Sequence, residues 1–172
     1  MDNGLAHEEN TLINFRRYAP DPKEHGFRWI DTKQLRISAE SMDDRGLLAA
    51  LIGHDQFRDD YAGGGVLPDG LRHGPYWLGL ITPDRYEPIS QEKAVQILRG
   101  WMDPLRDVST ELEADLQREV FACLAAADGI YYLSELGDDA IHDWGRAHDY
   151  FHEFVLIDRS AGRITLIVAA DD

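Results

Sequence analysis

The densest chemistry in the sequence lies at residues 140–154, AIHDWGRAHDYFHEF, where three histidines, three acids, an arginine and four aromatics share fifteen positions. His142, His148 and His152 are spaced six and four apart, with Asp143, Asp149 and Glu153 each beside one of them. Two histidines four apart on a helix converge, and zinc accepts three such ligands plus a water. His148 and His152 meet that condition only in a helix. DYFHEFVLI is instead aromatic and β-branched, the composition of a strand. On a strand His148, Tyr150, His152 and Phe154 share one face. The metalloprotease signature HExxH is absent, because HEFVL lacks its second histidine. Histidines at a strand entrance are the favoured reading. A small hydrolase or metal-dependent enzyme using the His142–His152 segment stands as the alternative.

Other catalytic routes have less behind them. No Gly-x-Ser-x-Gly elbow occurs. Cys123 falls in an expected buried helix, where a thiolate is disfavoured and the residue packs as a small apolar group. YAGGGVLPDGLRHGPY carries three adjacent glycines, but neither a Gly-Lys-Ser/Thr ending nor the spaced glycines of a dinucleotide fingerprint. It reads as a flexible loop or lid, and no cofactor or metal is expected.

The same histidine segment also reads as a docking surface. Asp138, Asp139, Asp143 and Asp149 surround Trp144, with Tyr131 and Tyr132 just upstream. An aromatic anchor ringed by acids suits a basic partner, since the anchor fills a pocket and the charges speed encounter. Glu111, Asp115 and Glu119 follow one another at i, i+4 and i+8 of an expected helix. Like charges at that spacing cost about 0.2–0.5 kcal/mol per pair. Arg118 offsets part of this, and a basic partner would relieve the rest.

Overall charge points the same way. Thirty-two Asp and Glu against 17 Lys and Arg give a net charge of −15. Residues 1–86 hold 14 acids and 10 bases; residues 87–172 hold 18 and 7. Such a field repels nucleic-acid backbones and anionic membranes, so neither is expected as a partner. The apolar runs are far shorter than the ~20 residues that span a bilayer. MDNGLAHEENTL has no basic and apolar regions of a secretory signal, and a cytoplasmic location is expected. A single cysteine excludes an intramolecular disulfide.

The elements that must position these residues read as one α+β domain over 10–172, after a frayed start at 1–9. The pattern is that of a mainly antiparallel sheet with a C-terminal hairpin and about three helices packed on it. NTLINFRRYAP begins a strand, and FRWID and QLRISAES alternate as two more, with DTK as the turn between them. SMDDRGLLAALIGHDQF is a helix with Ser41 as N-cap, and YWLGLITP reads as a central strand. Ser90 caps a helix over 91–102 with Ala94, Ile97, Leu98 and Trp101 inward. Thr110 and Glu113 form a capping box for a helix over about 110–127, with Leu112, Leu116, Val120 and Cys123 on its core face. HEFVLIDRSAGRITLIVAADD is a hairpin turning at RSAG, where Gly162 takes positive φ, and its strands are apolar on both faces.

PISQEKAVQILRGW in mid-chain and HEFVLIDRSAGRITLIVAADD at the end, on an acidic α+β background, resemble the bacterial immunity proteins of polymorphic toxin systems. Immunity factors of secreted NAD-glycohydrolase toxins are of this size and general character. The resemblance implies a non-catalytic inhibitor that occludes the active cleft of a cognate protein toxin. No invariant motif transfers residue by residue. On this reading Glu111, Asp115, Glu119, Asp138, Asp139, Asp143 and Trp144 form the partner surface, and Trp144 or the AGGGVLPDG loop enters the toxin's cleft.

Overall fold

The protein is described by a computed structural model that covers residues 3–18, 28–38, 42–102, 108–143, 145 and 150–171. In chain order its strands are β1 (Leu5–Asn14), β2 (Arg28–Ile37), β3 (Arg72–His73), β4 (Tyr76–Trp77), β5 (Tyr86–Pro88), β6 (Gly129–Leu133), β7 (Tyr150–Asp158) and β8 (Arg163–Asp171). Six of them form one antiparallel sheet in the order β1–β2–β8–β7–β6–β5, and β3 and β4 pair separately. The architecture is α+β.

The C-terminal hairpin is the centre of the sheet. Asp158 faces Arg163 across the turn, Gly162 has φ +63°, and β2 and β6 flank the pair. Alternate residues therefore feed two different cores. Phe154, Leu156, Ile167 and Ala169 enter the first, while Val155, Ile157, Ile164 and Leu166 enter the second. Burial on both sides explains why neither strand shows polar alternation.

Helices cover the first face. Ser90 Oγ accepts from the Lys93 amide at 3.1 Å and opens α2 (Gln91–Met102), which buries Ala94, Leu98, Trp101 and Met102; Ile97 is only half-buried. The next helix starts where expected, as α3 (Thr110–Leu116), but Ser109 caps it by accepting from the Leu112 amide at 3.1 Å. Glu113, displaced from the capping role, forks onto Arg99 at 2.9 and 2.6 Å. A π-helical stretch at Gln117–Phe121 then leads into α4 (Ala122–Ala126). The wider turn inserts a residue into the apolar register, so Phe121 and Leu124 follow Val120 inward and Cys123 is left half-buried.

The second face is covered by α1 (Asp44–Ile52) and the largely irregular chain from 53 to 86. Asp43 caps α1, accepting from the Gly46 amide at 2.8 Å, in place of Ser41, which lies outside the described residues.

Three sequence expectations are corrected. Residues 1–9 do not stay frayed as a whole: β1 begins at Leu5, whose buried side chain and pairing to Ile37 hold it on the sheet. Asp31-Thr32-Lys33 is no turn, because β2 runs unbroken through it and pairs with β1 and β8 along its length. YWLGLITP is not a central strand. Only Tyr76–Trp77 pairs, with β3, and Leu78–Leu80 coils into a 3-10 turn. No helix among the described residues is long and apolar enough to cross a membrane.

Candidate functional site

Two features concentrate polar chemistry, one at an edge where both faces of the sheet contribute and one on the second face. The first is a cleft of about 780 Å³ at the end of β6 and the start of β7. Tyr76, Tyr132, Tyr150 and His152 form its walls, and Glu135 and Asp138 stand at its rim. No Lys or Arg is among its described lining residues. Tyr132 and His152 are placed by antiparallel neighbours on β6 and β7, and the Tyr132 hydroxyl lies 2.7 Å from His152 Nδ1. Burial lowers the His152 pKa against a weaker opposing pull from Asp171, so its ring is neutral at neutral pH. Burial, with Tyr76 and Glu135 nearby, raises Tyr132. The cleft is thus walled by neutral, hydrogen-bonding rings under a negative rim.

Behind its floor the chain packs tightly. His142 is buried, its Nε2 2.7 Å from the Gly74 carbonyl and its ring edge-on to Trp77. Gly74 sits at φ +52°, and an added Cβ there would run into the Phe151 ring. Gly145 is pressed against the Pro75 carbonyl, which leaves no room for a side chain.

The second feature is a buried ionic seam. Asp31 and Lys33 leave β2 on the second face, opposite Val168 and Leu166 of β8. Lys33 is fully buried; its Nζ donates to Asp59 Oδ2 at 2.8 Å and to the Tyr61 hydroxyl at 3.0 Å, and lies 3.8 Å from Asp31 Oδ2. Asp59 Oδ1 accepts from the Tyr61 amide at 2.8 Å, holding that residue at φ +57°. A non-glycine residue there carries backbone strain of about 1–3 kcal/mol. Further along, Glu153 of β7 receives the Tyr86 hydroxyl on one oxygen and His73 Nε2 on the other, all three deeply buried. The His73 ring stacks on Phe57 at 3.5 Å. Burial, then Asp31, Asp59 and Glu153, push Tyr61 well above the ordinary tyrosine range.

One carboxylate in this seam is poorly served. Asp31 Oδ2 is buried without a hydrogen-bond partner, and desolvation raises the group to about 6 despite Lys33. The sequence disguised these residues. A polar Asp-Thr-Lys run reads as a turn when its partner Asp59 is 26 residues from Lys33. The available signal was β alternation continuing on either side of it.

The residues singled out by sequence are divided between the two faces. Glu111, Asp115 and Glu119 ride on the helix over the first face. Asp138 and Asp139 sit on a 3-10 turn whose Ala140 packs into the second core. Glu111 is exposed. Asp115 accepts from the Tyr18 hydroxyl and from Arg118 Nη2, both at 2.5 Å, and Glu119 accepts from Arg118 Nε at 3.1 Å. Two acids of that stripe are therefore matched within the chain. Asp138, Asp139 and Asp143 are exposed, and Asp138 is on the cleft rim. Trp144 and His148 lie outside the described residues. Tyr150, His152 and Phe154 share one face as expected, and among the described residues no three His, Cys, Asp or Glu side chains are grouped to hold a metal ion.

No protein-family model and no curated protein matches this chain. Two solved structures of citrus MAF1, in different crystal forms, are similar at a TM-score of 0.42 with 13% and 14% identity. Each covers 83% of this chain, over 87% and 86% of its own. That degree of overlap is too low to bear on function.

Proposed function

We propose that the protein is a cytoplasmic, non-catalytic immunity-type inhibitor that binds a cognate toxin, with the acidic aromatic cleft receiving a basic segment of it. The observation that carries this reading is the composition of the cleft. Neutral rings of Tyr76, Tyr132 and His152 line it, Glu135 and Asp138 rim it, and its described lining offers no cation. A lysine or arginine entering there meets aromatic faces and the rim carboxylates. The net charge of −15 adds steering toward a basic surface. Asp139 and Asp143, exposed close by in the chain, extend the negative field. The Glu111–Asp115–Glu119 stripe contributes at longer range only, since Arg118 occupies two of its three members.

The alternative enzyme reading has less support. His142 is buried against the Gly74 carbonyl, and among the described residues no three His, Cys, Asp or Glu side chains are grouped to hold a metal ion. Co-expression with the product of the adjacent reading frame tests the proposal. Restored growth together with a stable co-purified complex is the expected result. A toxic neighbour that remains toxic and forms no complex would contradict it.

A further inference from the structure

A second cleft, of about 610 Å³, opens over the far end of the second face, between the β1–β2 edge and the glycine loop. Its floor is Leu12 and Asn14 of β1 with Trp29 and Asp31 of β2; its other wall is Asp59, Tyr61 and the loop residues Ala62, Gly63 and Gly65. Gly63 and Gly65 both have positive φ, and neither has a neighbour within 4 Å of where a Cβ would stand, so the mouth is open.

The ion count at its base is unequal. Lys33 supplies one positive charge between Asp31 and Asp59. Asp59 takes that charge at hydrogen-bond distance on Oδ2 and the Tyr61 amide on Oδ1, so both its oxygens are occupied. Asp31 is left with its Oδ2 3.8 Å from Nζ and without a hydrogen bond, 7% exposed, and the residue lines the cleft. Beside it the Trp29 ring, stacked on Tyr61 at 5.6 Å, lines the same cleft. A desolvated, unmatched carboxylate next to an indole face is complementary to a planar, weakly hydrated cation.

We infer that this cleft is a binding site for a guanidinium group, carried by a small alkylguanidine or by an arginine side chain, held by Asp31 against Trp29. A bound guanidinium completes the charge count that Lys33 leaves short, and its flat face fits the indole where an ammonium would lose more hydration. The groups facing Asp31 from the packed elements are Lys33 on the same strand, Asp59 and Tyr61 from the loop, and Glu153 from β7 across Tyr61. Protonation of Asp31 removes the attraction, so binding weakens in acid.

The test is a titration of the ¹⁵N-labelled full chain with methylguanidinium, with N-methylurea as its neutral isostere. Saturable shifts are expected at the Trp29 indole, Asn14 and the Gly63–Gly65 amides, and none with N-methylurea. With one proton titrating near 6, affinity falls about tenfold between about pH 7 and about pH 5. Asp31→Asn keeps the shape and loses binding by about tenfold or more, and Trp29→Leu weakens it without touching the charge. N-acetylarginine methylamide binding more tightly than methylguanidinium assigns an arginine side chain as the source; equal binding assigns a free guanidine. No saturable shift, equal response to N-methylurea, or undiminished binding by Asp31→Asn would overturn the inference.

Discussion

Lys33 Nζ meets Asp59 Oδ2 at 2.8 Å in a place where the lysine side chain has no solvent contact and the aspartate almost none. The pair joins β2 to the irregular chain that covers the second face. It thereby fixes Tyr61, the glycine loop and one wall of the smaller cleft. Two charges taken out of water at such cost are held only while each has the other.

Removing one partner exposes that dependence. Lys33→Met is expected to lower stability by about 3–5 kcal/mol, because Asp31 and Asp59 are left buried together. Adding Asp31→Asn and Asp59→Asn to it should recover most of the loss. Denaturant unfolding of the three proteins measures both effects, and a single variant as stable as the parent would remove the ionic seam from the account.

Asp31 by itself works against the fold. Its folded value of about 6 lies above the ordinary 3.8, so the folded chain holds an extra proton between those values. Stability from this group is therefore greatest below about pH 4 and falls as pH rises through about 6. Ionising it in place costs about 2–3 kcal/mol. Asp31→Asn should raise the melting temperature at neutral pH and leave it nearly unchanged near pH 4, where the parent carboxyl is already protonated. A uniform shift at both pH values would point to packing instead.

The larger cleft depends on close backbone approach beneath it. Gly74 combines φ +52° with the Phe151 ring where a Cβ would stand. Gly74→Ala is expected to destabilise by about 1–3 kcal/mol and to perturb the Tyr76, Phe151 and His152 signals that report the cleft walls. Spectral change confined to residue 74 and its neighbours would show that the walls do not depend on it.

Partner binding should weaken in acid. His152 is neutral above its lowered pKa, and protonation would place a cation inside the cleft meant for one. Affinity should drop as pH falls below the usual histidine range, and His152→Gln should flatten that step. A step unchanged in the variant would assign it to another group.

The sheet was legible in sequence where a residue's own neighbours determine its conformation. The hairpin announced itself through two β-rich runs around Gly162, and Ser90 marked the start of α2. Distant partners were not legible. Asp31, Thr32 and Lys33 read as a turn because the residue that makes Lys33 tolerable in a strand, Asp59, is remote in the chain. On the acidic helix stripe the offsetting role of Arg118 was legible from its neighbouring position, whereas the Tyr18 hydroxyl on Asp115, 97 residues away in the chain, was not. The tyrosines of the larger cleft were equally hidden, since Tyr76 of β4 meets Tyr132 of β6 and His152 of β7 only in the folded chain.

The most direct test of the central claim is calorimetric titration of the co-purified toxin against two charge-reversed proteins. One carries Glu135→Lys and Asp138→Lys on the cleft rim, and the other carries Glu111→Lys on α3, outside the cleft lining. The account predicts that the rim variant loses affinity by about tenfold or more, with binding that weakens in added salt, while the Glu111 variant stays close to the parent. Equal affinity of the rim variant and the parent would contradict it.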